Sequence, residues 1–172
     1  ALPGAKITCS ITNDDQTGTL IVKKIVKNDN GGTLSADDFT FSVNGGANTP
    51  FEADGQNDLT VNAGVYSVTE PAVTGYATTY DNCSRVSVVN GGSATCTITN
   101  DDIAPILHLR KSVINDNGGL SDTTDWMLSA TGSSQIVSFL SGPSPVDSTI
   151  LFQADTYTLS ESAGSGGYTP SQ

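Results

Sequence analysis

Three residue types that can react together fall in phase with the apolar side of short alternating segments. In residues 19–26, Thr-Leu-Ile-Val-Lys-Lys-Ile-Val, the period of two that marks a strand puts Leu20, Val22, Lys24 and Val26 on one face. Residues 65–70 align Tyr66, Val68 and Glu70 in the same way, and residues 95–100 align Cys96, Ile98 and Asn100. A lysine, a glutamate and an asparagine sent separately into one core would each be costly to desolvate. Burial lowers the pKa of an amine and raises that of a carboxyl. A neutral lysine can then attack the asparagine side-chain carbonyl while a protonated carboxyl polarises its oxygen, and ammonia leaves. The product is a neutral Lys-Asn isopeptide bond. The plainer alternative is a buried Lys-Glu salt bridge hydrogen-bonded to Asn100. Lys23 adjoins Lys24, and a one-residue slip would exchange their faces, but the phase favours Lys24.

The same residues recur further along. Leu107, Leu109, Lys111 and Val113 repeat the first pattern, and Tyr157, Leu159 and Glu161 repeat the second. For the third, the only sequence of the right kind is Cys9, Ile11 and Asn13, within Thr-Cys-Ser-Ile-Thr-Asn-Asp-Asp at 8–15. That string returns as Thr-Cys-Thr-Ile-Thr-Asn-Asp-Asp at 95–102. Cys9 and Cys96 lie 87 positions apart, as do Asn28 and Asn115 in the two Asn-Asp-Asn-Gly-Gly loops, whereas Glu70 and Glu161 lie 91 apart. A shared period with a loop-sized insertion means tandem domains. The expected organisation is a lone closing strand at 1–15, a complete β-sandwich at 16–102, and a β-sandwich at 103–172 that lacks its closing strand.

Composition agrees with an all-β extracellular chain: 18 Gly, abundant Ser, Thr, Asn and Asp, and short apolar alternations between turn signals. Domains this small bury only about 60% of their unfolded surface, so covalent support is expected. The net charge of −11 argues against nucleic acid and anionic membranes as partners, because clustered Lys and Arg are missing. No apolar run has the length of a membrane span, and no signal peptide is present, so a mature or excised segment is expected.

Cys83 and Cys96 flank a predicted hairpin turn at Asn90-Gly91-Gly92, which suits a disulfide in an oxidising compartment; two buried free thiols are the alternative. Cys9 is the equivalent of Cys96 but has no equivalent of Cys83, so it is expected to be unpaired within the chain.

The first-strand lysine, Gly-Val-Tyr-Ser-Val-Thr-Glu-Pro-Ala-Val-Thr-Gly-Tyr at 64–76 and the terminal Thr-Ile-Thr-Asn resemble the CnaB or SpaA-type prealbumin-like (Ig-like) domains of bacterial surface proteins. The resemblance covers the complete domain and nearly all of the truncated one. It implies tandem sandwich modules of a pilus shaft or adhesin stalk, many of which crosslink themselves. Carried over by position, Lys24 is the nucleophile, Glu70 the proton relay and Asn100 the electrophile. In the next domain Lys111 and Glu161 match, and Asn13 would serve as electrophile only from a neighbouring molecule. The Cys83 and Cys96 pair is not general in that family, which leaves open a subgroup held by the disulfide alone.

Other features support blander expectations. Asp14, Asp15, Asp29, Asp101 and Asp102 near the boundaries could gather oxygen ligands for calcium, but the spacing is not that of an EF-hand loop, and turn chemistry is the plainer reading. No cofactor is otherwise implied. His108 reads as a surface residue, and Trp126, placed like Phe39 after an Asp, as core. The Asn82-Cys83-Ser84 sequon carries little weight, and Tyr76, Tyr80 and Tyr168 are expected to cover sandwich ends. No enzymatic constellation accompanies the self-directed crosslink. Two functions remain: a module of an extracellular fibre, pilus or cell-surface stalk stacked on copies of itself or adjacent repeats, and an adhesin segment whose loops recognise a host protein or glycan. The offset of the repeat has two readings also: residues 5–13 complete a neighbouring subunit, or the sequence is a window on a longer tandem array.

Overall fold

The computed structural model describes residues 2–134, 139–149, 152–162, 164 and 166–170. The first strands are β1 (Gly18–Lys27), β2 (Thr40–Val43), β3 (Thr49–Pro50), β4 (Gln56–Val61), β5 (Gly64–Tyr66), β6 (Val68–Thr69), β7 (Tyr76–Asp81), β8 (Val86–Val88) and β9 (Ser93–Asp102). They are followed by β10 (His108–Leu109), β11 (Met127–Gly132), β12 (Phe139–Pro143), β13 (Val146–Asp147) and β14 (Tyr157–Glu161). Two short 3-10 turns, Ala36–Asp38 and Thr123–Asp125, sit at corresponding places and begin at Ser35 and Asp122, whose side chains can accept exposed N–H groups.

The chain divides into two compact units. One contains Ala1–Val26, Ser35–Ala72 and Thr78–Asn100; the other contains Lys27–Leu34, Val73–Ala77 and Asp101–Gln172. In the first, the main sheet has the order β4-β1-β9-β7, and smaller sheets β3-β2-β6 and β5-β8 supply the opposing layer. Alternation along β1 and β9 makes this work. Leu20 and Val22 from β1, and Cys96 and Ile98 from β9, are wholly buried with Phe41 and Val86 from the other sheets. Burying each such side chain stabilises by about 1.5–3 kcal/mol before ordering entropy is counted. The β1 to β4 pairing is antiparallel with Leu20 opposite Leu59, and that register keeps Lys24 on the core side.

The hairpin joining β8 to β9 turns at Gly91, whose φ of 68° is the left-handed conformation that glycine adopts without strain. Cys83 and Cys96 form a disulfide with a Cα separation of 4.7 Å, as the spacing around this hairpin predicted. Asn82 also has a positive φ, of 52°, and its side-chain amide donates to the Thr95 carbonyl at 2.8 Å, so the sequon asparagine is engaged in the turn.

The second unit repeats the plan with a smaller core: Leu109, Leu128 and Ala130 are buried, with Leu107, Leu140, Val146 and Tyr157 packed against them. β11 pairs with β12 and with β14, while β10, the counterpart of β1, is bonded to β13 alone among the described residues. β10 has two residues where β1 has ten. Leu159, placed on the core side by its phase, is 53% exposed, although its counterpart Val68 is 2% exposed. Both differences have one physical cause: a strand is a paired and covered structure, and among the described residues β10 has no neighbour corresponding to the one that β9 gives β1.

Residues 2–17 take no strand conformation and are exposed, apart from a backbone and side-chain attachment of Gln16 to Asn90 and Gly91. The closing strand expected at 1–15 is thus unrealised within the single chain. Its apolar positions, Ile7 and Ile11, are 74% and 86% exposed, and Cys9 is an exposed free thiol.

Candidate crosslinking site

Lys24, Glu70 and Asn100 meet inside the first unit. β1 delivers Lys24 and its neighbour β9 delivers Asn100. Glu70 follows directly on β6, where Pro71 cannot donate a further ladder hydrogen bond. The Lys24 Nζ donates to Oδ1 of Asn100 at 2.7 Å and makes a short contact to Oε2 of Glu70. The Asn100 amide nitrogen donates to Oε1 of Glu70 at 2.7 Å. One carboxyl therefore touches both the incoming amine and the nitrogen that would leave. The Lys24 and Glu70 side chains are fully buried, and Asn100 is 0% exposed.

The electrostatics weaken the charged form of the amine. Burial pushes the Lys24 pKa below the usual lysine range despite the opposing hydrogen bond and charge of Glu70. The Phe39 ring lies 3.8 Å from Nζ and the Phe51 ring 5.2 Å away. Their cation-π attraction is worth about 2 kcal/mol even when desolvated, less than the several kcal/mol that burial takes from an ion. The rings also exclude water from the site.

Sequence periodicity pointed to the three side chains that meet here but missed their supports. Phe39 and Phe51 are such residues, and so is Tyr80, expected to cover a sandwich end. Its hydroxyl accepts from the Glu70 backbone N–H at 3.2 Å and lies 3.3 Å from the Glu70 carbonyl, which pins the backbone on which the carboxyl swings. No local pattern marks a cross-strand tyrosine of this kind.

The second unit holds the same apparatus in part. Lys111 donates to Glu161 at 2.7 Å, and Nζ lies 4.8 Å from the centre of the Trp126 ring, which is buried as Phe39 is. The two side chains are 17% and 24% exposed and line an open cleft of about 720 Å³. Asn13, the remaining candidate, lies in the exposed 2–17 segment.

Of the boundary aspartates, Asp102 is held by the loop at residues 29–32. Asp102 accepts from the backbone N–H groups of Asp29, Asn30 and Gly32 at 2.6 to 3.0 Å, and Lys27 lies 3.5 Å from Asp101. Carboxylate atoms of Asp29, Asp101 and Asp102 fall within 4.8 Å of one another, but the oxygens of Asp102 are turned to the loop's own donors. Burial alone would raise the Asp102 pKa; the hydrogen bonds from Gly32, Asn30 and Asp29 outweigh it and hold the carboxyl below its ordinary value. Tyr76 completes the clamp by donating to Asn28 at 2.7 Å, and Tyr168 does the same to Asn115 at 2.7 Å. His108 is exposed beside Asp147.

A depressed carboxyl stabilises the fold while it is ionised, fully above the unfolded pKa near 3.8, and loses that contribution as pH falls through the folded value. Asp102→Asn should therefore cost about 1–3 kcal/mol at pH 7, with the deficit shrinking in acid below the ordinary carboxylate range. Denaturant melts of both proteins across that range test this, and a deficit independent of pH would contradict it.

The sheet order and the paired lysine sites define a class, tandem β-sandwich modules of prealbumin-like fold. The chain belongs to the SpaA-type prealbumin-like fold domain family, whose model matches residues 15–98 and again residues 102–172. Domains of this kind are structural folds, typically of surface proteins. Among solved structures the chain is similar to the Bacillus anthracis TIE protein, at 19% identity and a TM-score of 0.58, over 91% of this chain and 30% of that one. At that identity the likeness is one of fold, and this chain spans less than a third of the other's length. A search of curated proteins found no match.

Proposed function

We infer that this chain is a load-bearing module of an extracellular fibre, pilus or surface stalk, locked by an autocatalytic isopeptide bond between Lys24 and Asn100. The observation that carries this reading is the buried triad itself, in which Glu70 touches both nitrogens of the exchange. The ammonium of Lys24 passes a proton to Glu70. The freed Nζ lone pair bonds to Cγ of Asn100, and the protonated carboxyl polarises Oδ1. The Cγ–Nδ2 bond then breaks, a proton from Nζ is delivered through Glu70 to the departing nitrogen, and ammonia leaves. Glu70 still holds the proton first taken from Lys24; handing it to the departing ammonia, which leaves as ammonium, restores the carboxylate and completes the single turnover on the chain's own side chains.

The position of the bond fits a mechanical purpose. β1 and β9 are neighbours in the sheet, and they run the same way, since Thr19 bonds Gly92 at one end while Asp29 and Asn30 bond Asp102 at the other. Tension entering through β1 and leaving through β9 shears that pair, and a covalent link between them carries the force past the core. Single-molecule stretching checks this. With the bond present, the residues between Lys24 and Asn100 should add no length on unfolding; in Lys24→Ala they should extend. Full extension in the unmodified chain would overturn the reading.

A further inference from the structure

The three groups of the first unit's triad come from two layers of the sandwich. Lys24 on β1 and Asn100 on β9 sit on adjacent strands of the main sheet, so the ladder itself sets amine beside amide. Glu70 arrives from the other side. It follows β6, which pairs with β2 of the opposing layer, Ser42 opposite Thr69 and Val43 opposite Val68. Placement of the proton relay therefore depends on how the two layers are held in register. One link is Tyr80 of β7, whose hydroxyl lies 3.2 and 3.3 Å from the Glu70 backbone nitrogen and oxygen. A second link is covalent.

Cys83 stands where the chain passes from β7 to β8, and its carbonyl accepts the Val68 backbone N–H at 2.8 Å. Val68 is buried and lies two residues before Glu70. Cys96, the disulfide partner, is wholly buried on β9, in phase with Asn100 and four residues before it. The disulfide thus joins the strand of the electrophile to the residue that holds the strand of the relay. Both arms are short, about 13 Å along β9 and about 7 Å from Val68 to Glu70 at the rise of an extended chain. A shift at this turn is passed on to the carboxyl. With the thiols reduced, the hydrogen bond from the Asn82 amide to the Thr95 carbonyl, 2.8 Å, still attaches the turn to β9. Such a bond opens and reforms, so the reduced unit keeps its fold but holds Glu70 less tightly.

We propose that the Cys83 and Cys96 disulfide forms first and positions Glu70, so that condensation of Lys24 with Asn100 is timed by thiol oxidation. This rests on the condensation inferred for the first unit. In the first step a small disulfide is the oxidant: one cysteine thiolate attacks it and releases a thiol, and the second cysteine displaces the other half from the mixed disulfide. The two cysteines are oxidised, and the small disulfide leaves as two reduced thiols. In the second step the Lys24 Nζ to Asn100 Cγ bond forms and the Asn100 Cγ to Nδ2 bond breaks, with Glu70 moving the protons. The cysteines act through Glu70 and are positioning residues. A chain kept under reducing conditions stays extensible, and it locks after meeting an oxidising environment.

The test uses the 172-residue chain with Cys9→Ser, which leaves Cys83 and Cys96 as the only cysteines. It is made by cell-free synthesis, with either dithiothreitol or glutathione disulfide present, and its intact mass is followed in time. The disulfide removes two hydrogens and the crosslink one ammonia, so each event has its own mass signature. With glutathione disulfide the hydrogens should be lost first. Ammonia loss should then be about 10- to 100-fold faster than in dithiothreitol, the scale set by an ångström of misplacement at a reacting centre. Cys83→Ala with Cys96→Ala should be slow in both. Repeating the reduced reaction in trimethylamine oxide, which favours the compact state, separates positioning from folding, with limited proteolysis reporting the folded fraction. Slow ammonia loss in a fully folded reduced chain supports the proposal. Recovery of the fast rate on folding would make the pair merely structural and overturn it, as would equal rates with and without reductant. A chain that keeps its ammonia under every condition would overturn the condensation itself.

Discussion

The purified chain should weigh one ammonia less than its sequence for the bond in the first unit, and Glu70→Ala should restore that mass. Lys24 and Asn100 are already in hydrogen-bond contact, so the missing element in the variant is the carboxyl that shuttles the proton rather than proximity. Two losses then add. A bond spanning residues 24 to 100 removes roughly 4 kcal/mol of unfolded-chain entropy. Removing Glu70 also leaves a buried lysine without its partner, a change that costs about 3–5 kcal/mol. At about 4–8 °C per kcal/mol for a domain of this size, the crosslink alone should raise Tm by on the order of 20 °C. The triple variant Lys24→Met, Glu70→Leu and Asn100→Leu, which leaves no unpaired buried charge, separates the two contributions. If the site were only a salt bridge, well-packed apolar replacements would be close to neutral. A loss near that of the missing crosslink, with the full mass retained, identifies the covalent bond as the stabilising element. An unmodified chain of full mass would sink the proposal.

Removal of the disulfide is expected to have the next largest effect. Cys83 and Cys96 close a loop with a sequence separation of 13, which corresponds to about 3 kcal/mol. The bond also ties the connection between β7 and β8 to β9, the strand that carries Asn100. Both cysteines are buried, so alanine is the appropriate replacement; serine would add an unsatisfied hydroxyl. Cys83→Ala with Cys96→Ala should lower the denaturant midpoint, and the midpoint of the variant should be indifferent to reductant. The unmodified chain should fall toward the variant when reduced. If the two proteins melt alike under oxidising conditions, the disulfide contributes nothing measurable to stability.

The disulfide and the proposed crosslink differ in how they were legible. The disulfide was marked by spacing around a glycine turn. The Lys24, Glu70 and Asn100 triad was marked by polar residues in phase with apolar ones, up to 76 positions apart. Period-two alternation decides which face of a strand a side chain takes, and a lysine in phase with Leu20 and Val22 must face what they face. The strand assignments of Lys24, Cys96 and Asn100 and the pairing of Cys83 followed from that rule and from turn chemistry.

The rest depended on contacts between strands distant in sequence. Phe39 and Phe51 pack against the Lys24 ammonium, and Tyr80 grips the Glu70 backbone, because sheet order and crossing geometry put them there. The aspartates at the ends of the repeated string read as turn residues, and only the folded loop shows Asp102 gathering three backbone N–H groups. Leu159 shows the limit most clearly. Its phase assigns it to the core, yet it is exposed, because phase specifies a direction while burial needs something on the other side. The amino-acid sequence alone determined the repeat, its offset, the strands and the reacting residue types, since these depend on local order along the chain. The tertiary structure decided which of those residues touch, which are sheltered from water, and that Lys111 and Glu161 face an open cleft, because proximity and desolvation arise only when separate strands pack.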